Sequence, residues 1–192
     1  MKFTIKTFFI SAIAALPLSS LGYTNIHSLM AHISQATNLS ATEITTNNLF
    51  AAIRDRDVAA AIQAVNAGAN ISAQTGSMES APLHSATSTG SLEVMSFLLD
   101  RGAPIEMRNN SGWTPLHLAA MFGTKQVINL LIDNGAAIDA QDNGGLTPLN
   151  LARLNHRADN VAVLQEALRA KALKPLKEYS GDWVRLRNAE NL

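Results

Sequence analysis

Two histidines, His84 and His117, each stand directly after a Pro-Leu pair. An imidazole can ligate a metal, shuttle a proton or pin a loop by hydrogen bonds. A metal centre would need a third and a fourth ligand, and no H-E-x-x-H or comparable spacing occurs. His27 and His32 lie five apart, and His156 stands alone. Asp55 and Asp57 alternate with Arg54 and Arg56, but residues two apart on a helix face different ways, and the arginines neutralise them. The chain has no G-x-S-x-G nucleophile elbow, phosphate-binding glycine loop or dinucleotide fingerprint. It also has no cysteine, which removes thiol nucleophiles, thiolate metal sites and disulfides together. No catalytic residue, metal or cofactor is expected, and a cryptic site around His156 and the C-terminal segment is only a remote alternative.

The elements that carry these residues follow from composition and spacing. Hydrophobic residues make up 47% of the 192 and aromatics 5%, with Ala, Leu and Ile prominent, which favours closely packed helices over a β-sandwich. The formal charge is zero, so nothing points to nucleic acid or an anionic membrane. Lys2 and Lys6 precede an apolar run from Phe8 to Leu18, and Ser20-Leu21-Gly22 offers small residues for cleavage before Tyr23. Residues 1–22 are therefore expected to be a cleaved secretory signal, and an uncleaved anchor is the weaker reading because the apolar run is about half of the ~20 residues that a spanning helix needs. A periplasmic or secreted protein is expected, with no stable membrane span after cleavage. The three Asn-x-Ser triplets at Asn38, Asn70 and Asn109 are common by chance.

Self-similarity decides the architecture. Pro82-Leu83-His84, Pro115-Leu116-His117 and Pro148-Leu149-Asn150 recur with a period of 33, as do Gly102-Ala103 with Ile105 and Gly135-Ala136 with Ile138. In the most regular copy, 109–141, Thr114 is expected to cap a short helix and Pro115 to sit where a missing N–H costs nothing. Leu116, Ala119 and Ala120 make a narrow apolar face, and Gly123 is expected to end the helix with a positive φ. Val127, Ile128, Leu131 and Ile132 form the stripe of a second helix that Gly135 stops, with Ile138 anchoring the loop.

Gly112-Trp113-Thr114-Pro115-Leu116-His117-Leu118-Ala119-Ala120, with Gly123, Val127, Leu130-Leu131 and Gly135-Ala136, resembles the ankyrin repeat. The resemblance implies an all-α solenoid of helix–turn–helix repeats joined by hairpin-like loops. Four repeats are expected, 47–75, 76–108, 109–141 and 142–171, flanked by an extension over 23–46 and a tail over 172–192. The outer repeats are degenerate. Asn47 is the expected cap of the first, whose Arg54–Asp57 run suits a water-facing end. The second has Glu79 for the turn glycine and Ala81 for the cap, the latter at a cost of about 1 kcal/mol. The fourth has Asn150 for histidine, His156 for glycine and a second helix over roughly 161–171. In the extension, Ile26, Leu29, Met30 and Ile33 are spaced for one face of a capping helix.

The resemblance also implies that His84 and His117 tie adjacent loops, and that a protein partner binds the concave face. Residue by residue, the positions carried over as partner-binding are Met78, Asn110, Ser111, Trp113, Met121, Phe122, Leu146 and Leu154, an unusually apolar set. A monomer that binds another protein in the cell envelope, inhibiting or protecting it, is the expected function, and a secreted effector acting on a host protein is the alternative.

Overall fold

A computed structural model describes residues 40–189, with side chains through residue 173. It contains eight helices among those residues: α1 Ala41–Asp55, α2 Val58–Asn66, α3 Pro82–Thr89, α4 Leu92–Asp100, α5 Pro115–Phe122, α6 Lys125–Asp133, α7 Pro148–Leu154 and α8 Ala158–Ala189. They pair as four repeats. The inner row α1, α3, α5 and α7 packs helix on neighbouring helix, and the outer row α2, α4, α6 and α8 does the same behind it. The expected all-α repeat solenoid is what the chain builds. Thr75 and Ser80 form an isolated antiparallel bridge in the loop before α3.

Small residues set how closely the inner helices approach. Ala52, Ala86, Ala119 and Ala152 recur once per repeat along that row, and all are buried. Leu83 and Leu116 lie beside them, while Val94, Met95 and Leu98 of α4 and Val127, Ile128 and Leu131 of α6 fill the space between the rows. Ile132 is half-buried against this core, and Ile138 is buried in it from the loop. Each repeat buries apolar surface chiefly against its immediate neighbours.

Four local expectations give way to different geometry. First, α1 starts at Ala41, well before the expected boundary at 47. Ser40, not Asn47, is its cap, in a reciprocal box in which Ser40 Oγ accepts from Glu43 N–H at 3.1 Å and Glu43 accepts from Ser40 N–H at 2.6 Å. The buried Thr45 and Thr46 belong to this helix, and Thr46 Oγ1 accepts from Asn70 N–H at 2.9 Å. Second, Asp57 is no mere surface charge. Its carboxylate caps α2 by accepting from Ala60 N–H at 2.9 Å.

Third, Gly123 has φ −77° and ψ 178°, not the expected positive φ. The glycine is needed for space: a Cβ would lie 2.7 Å from the Ala119 carbonyl oxygen and 2.9 Å from its Cα. Fourth, α8 does not stop near residue 171 but runs unbroken from Ala158 to Ala189, through the segment assigned to a tail. The expected signal segment and the stripe at Ile26–Ile33 lie outside the described residues.

The turn before α3 carries a strain that its sister turns avoid. Glu79 adopts φ +49°, while Gly112 and Gly145, at the same place in the next two repeats, hold φ +76° and +75°. A side chain in this region costs about 1–2 kcal/mol, partly offset by the freer unfolded chain that glycine would have. Glu79→Gly is expected to raise stability by about 0.5–1 kcal/mol. A urea midpoint that stays put or falls would show that the Glu79 backbone is unstrained.

Candidate protein-binding face

The loops before α5 and α7 are built by side chains that fold back on their own backbone, where the loop before α3 has Gly76. Asn109 Oδ1 accepts from Ser111 N–H and Trp113 N–H, each at 3.0 Å. Asp142, one period later, repeats the motif with Gly144 N–H at 2.8 Å and Leu146 N–H at 2.9 Å. The following residues join the loops into a ladder. Asn110 donates from its backbone N to Met78 O at 3.1 Å and from Nδ2 to Ser77 O at 3.0 Å. Asn143 donates in the same way to Ser111 O at 3.1 Å and Asn110 O at 2.8 Å. Gly112 is glycine because a Cβ there would stand 2.4 Å from Asn143 Oδ1, inside this ladder.

The two repeat histidines lock the ladder to the helices. His117 Nδ1 accepts from Thr114 N–H at 3.1 Å, so Nε2 carries the proton and donates to Leu146 O at 3.1 Å. The Thr114 hydroxyl lies 2.9 Å from the same Nδ1 and is spent there, so Thr114 does not cap the first amides of α5 as expected. His84 has the same arrangement, accepting from Ala81 N–H at 3.3 Å and donating to Trp113 O at 2.9 Å. Both rings are fully buried. Burial holds their pKa values below the usual histidine range, against the opposing pull of the carbonyls that accept from them. In the last repeat Asn150 Oδ1 accepts from Thr147 N–H at 3.0 Å, and among the described residues it ties no further loop.

The eight residues assigned to the partner site fall in two rows. Met78, Asn110, Ser111, Trp113 and Leu146 belong to the loops. Met78 is 41% exposed, and Asn110 is exposed with its amide engaged in the ladder. Trp113 is half-buried, and its indole N–H donates to Asp142 Oδ2 at 3.0 Å. One carboxylate thus joins the Trp113 side chain to the half-buried Leu146. Burial opposes the charge on Asp142. Hydrogen bonds from Leu146 N–H, the indole and Gly144 N–H outweigh it, holding the carboxyl below its usual range.

Met121, Phe122 and Leu154 form the second row, at the far ends of α5 and α7. An eight-residue helix, ~12 Å long, separates this row from the loops. Met121 is half-buried, whereas Phe122 is 61% and Leu154 62% exposed. The two largest exposed apolar side chains of the inner row therefore lie on adjacent repeats.

Sequence reasoning missed three groups that shape this region. Asp142 fixes the Trp113 side chain. Arg108 donates to Gly112 O at 3.1 Å and to Gln141 O, bracing two loops. Asn160 takes the place of Val127 one period earlier, and its buried Nδ2 lies 3.1 Å from Ala120 O and 3.2 Å from Gly123 O, sealing the end of α5. For Asn160 the period held the signal, since a polar residue at an apolar repeat position calls for a hydrogen-bonding partner, whereas Asp142 and Arg108 stand where the neighbouring copies have the polar Asn109 and Gln141.

Among the described residues, no group of three His, Cys, Asp or Glu side chains gathers as a metal site would require. No described helix is long and apolar enough to cross a membrane. A family model of ankyrin repeats (3 copies) matches residues 49–142 and 83–173. Those spans cover well over half of the chain, and the chain belongs to the ankyrin-repeat family. No curated protein matches it. Membership implies a protein–protein interaction module, the general role of this repeat.

Proposed function

We propose that this chain is a non-catalytic binding protein of the cell envelope, periplasmic or secreted, which acts as a monomer on one protein partner. The observation that carries the reading is the exposure of Phe122 and Leu154 on neighbouring inner helices. Apolar side chains that a stack leaves uncovered on its inner row tend to mark a contact surface. The basic start, apolar run and small-residue site of residues 1–22 support export. Inhibition or protection of the partner is the consequence we assign to binding.

The test is capture from the source organism's envelope fraction by the chain starting at Tyr23, beside a Phe122→Ala/Leu154→Ala variant. Both positions are exposed, so the variant should keep its stability within about 0.5 kcal/mol. A specific partner is expected on the parent chain, and at least tenfold less of it on the variant, the loss of a hot-spot contact. Equal retention by both would move the site elsewhere on the molecule. Cell fractionation of the full chain checks the export separately, and accumulation of an unprocessed cytoplasmic form would refute it.

A further inference from the structure

The helix-end row adjoins a cleft of about 600 Å³ between the α5–α6 and α7–α8 turns, lined by Gly123, Thr124, Lys125, His156, Arg157 and Asn160 among others. Phe122 immediately precedes its first lining residue, and Leu154 stands two residues before His156. The charge here runs against that of the rest of the stack. Residues 40–173 carry nine basic and twelve acidic side chains. Yet Lys125 and Arg157 line the cleft against one acid, Asp159, which lies 3.3 Å from Lys125, and Arg153 stands on the last turn of α7, which leads into it. Arg157 gives one guanidinium nitrogen to Gly123 O at 3.1 Å, which fixes its head in the cleft wall. Arg153, exposed on the last turn of α7, forms no ion pair with a described acid.

We infer that this end of the third and fourth repeats takes an acidic protein segment with one large apolar anchor. The anchor seats against Phe122 and Leu154, and the carboxylates face Arg153 and Arg157. The inference rests on the protein-binding reading and specifies the chemistry of the segment. Positive charge beside an apolar contact adds little to a neutral ligand, but it speeds and orients the docking of an acidic one. The first-turn amides of α6 and α8 edge the same cleft and carry the same sign.

The experiment is selection of a displayed library of random dodecapeptides on the chain from Tyr23, followed by affinity measurement of the enriched peptides. Enriched sequences are expected to place Asp or Glu around Phe, Leu or Trp. Their affinity should fall about tenfold in Phe122→Ala and about tenfold in Arg153→Glu, and drop further with added salt. Enrichment without acidic residues, or affinity untouched by Arg153→Glu, would overturn the inference, as would failure to enrich any peptide. Self-association of the free chain that Phe122→Ala abolishes would assign the face to a second copy and likewise overturn it. If an envelope partner is still captured in a Phe122-dependent way after any of these, protein binding stands and only the acidic segment falls. Loss of both would take the underlying reading with it.

Discussion

His117→Ala is expected to lower stability by roughly 2–4 kcal/mol, because it strips a buried ring from the junction of two repeats. Thr114 N–H loses its acceptor and Leu146 O its donor, and the space left by the imidazole stays partly empty. His117→Asn separates the two halves of that loss. Asn150 already accepts from Thr147 N–H and from the Thr147 hydroxyl at 2.7 Å in the fourth repeat, so asparagine serves the bond within a repeat. It is too short to reach Leu146, so His117→Asn should cost less, about 1–2 kcal/mol. Urea titration followed by helical circular dichroism measures both. Equal losses for Ala and Asn would place the whole effect in the link between repeats.

The same rings set a pH dependence. Their folded pKa values are depressed, so between the folded value and the unfolded value of about 6.5 the unfolded chain binds more protons. The stabilisation they give is complete above that pH. It declines as pH falls through it, and it is gone below the folded value. Stability should therefore drop as pH falls through about 6.5, and a His84→Asn/His117→Asn chain should show a flatter profile. A parallel decline in parent and variant would place the titrating groups elsewhere. Asp142 enters only at lower pH, its contribution being lost as pH falls through its depressed folded value.

Leu98→Ala should be comparably severe, with a loss of about 3–4 kcal/mol. Leu98 is fully buried in α4, whose helix packs against α2, α3 and α6 and so sits in the middle of the stack. The side chain removed is flanked on both sides by repeats held in place by their own contacts, and little can collapse into the gap. The urea midpoint should fall with an unchanged slope if the four repeats unfold together. A shallower slope would show that the cavity splits the stack into separately melting halves. A loss below about 1 kcal/mol would mean that the neighbouring side chains close the gap.

Much of this was legible in the chain because a recurring period records the same physical problem solved several times. The pairing of helices, the alanine row and the buried histidines all follow from positions that recur. What escaped notice lies where the period breaks. Ser40-Ala41-Thr42-Glu43 is a capping box in plain sight, but Thr45, Thr46, Asn47 and Asn48 are modest helix formers and drew the expected start to Asn47. Gly123 could be read as a helix stop but not as the glycine that spares Ala119 a collision, which depends on the exit path of the chain. That the eight candidate residues stand in loops and at helix ends was legible by position alone. Nothing in the residue type of Trp113 announces that its indole is tied to Asp142, which depends on how the next loop folds.

Asn150 and Asn160 together bear on how such a chain changes length. One has lost the reach that would hold a following loop, and the other has turned its polar end backward to close the preceding helix. Among the described residues, the fourth repeat thus lacks the ring tie with which His84 and His117 each hold the loop that follows them. A duplication of residues 109–141 carries its own histidine and its own complementary surfaces, and it would slot into the array as another interchangeable brick. The same cassette joined after the fourth repeat would meet no histidine tie, since Asn150 holds only its own repeat among the described residues. For this chain, a repeat added within the array is tied on both sides.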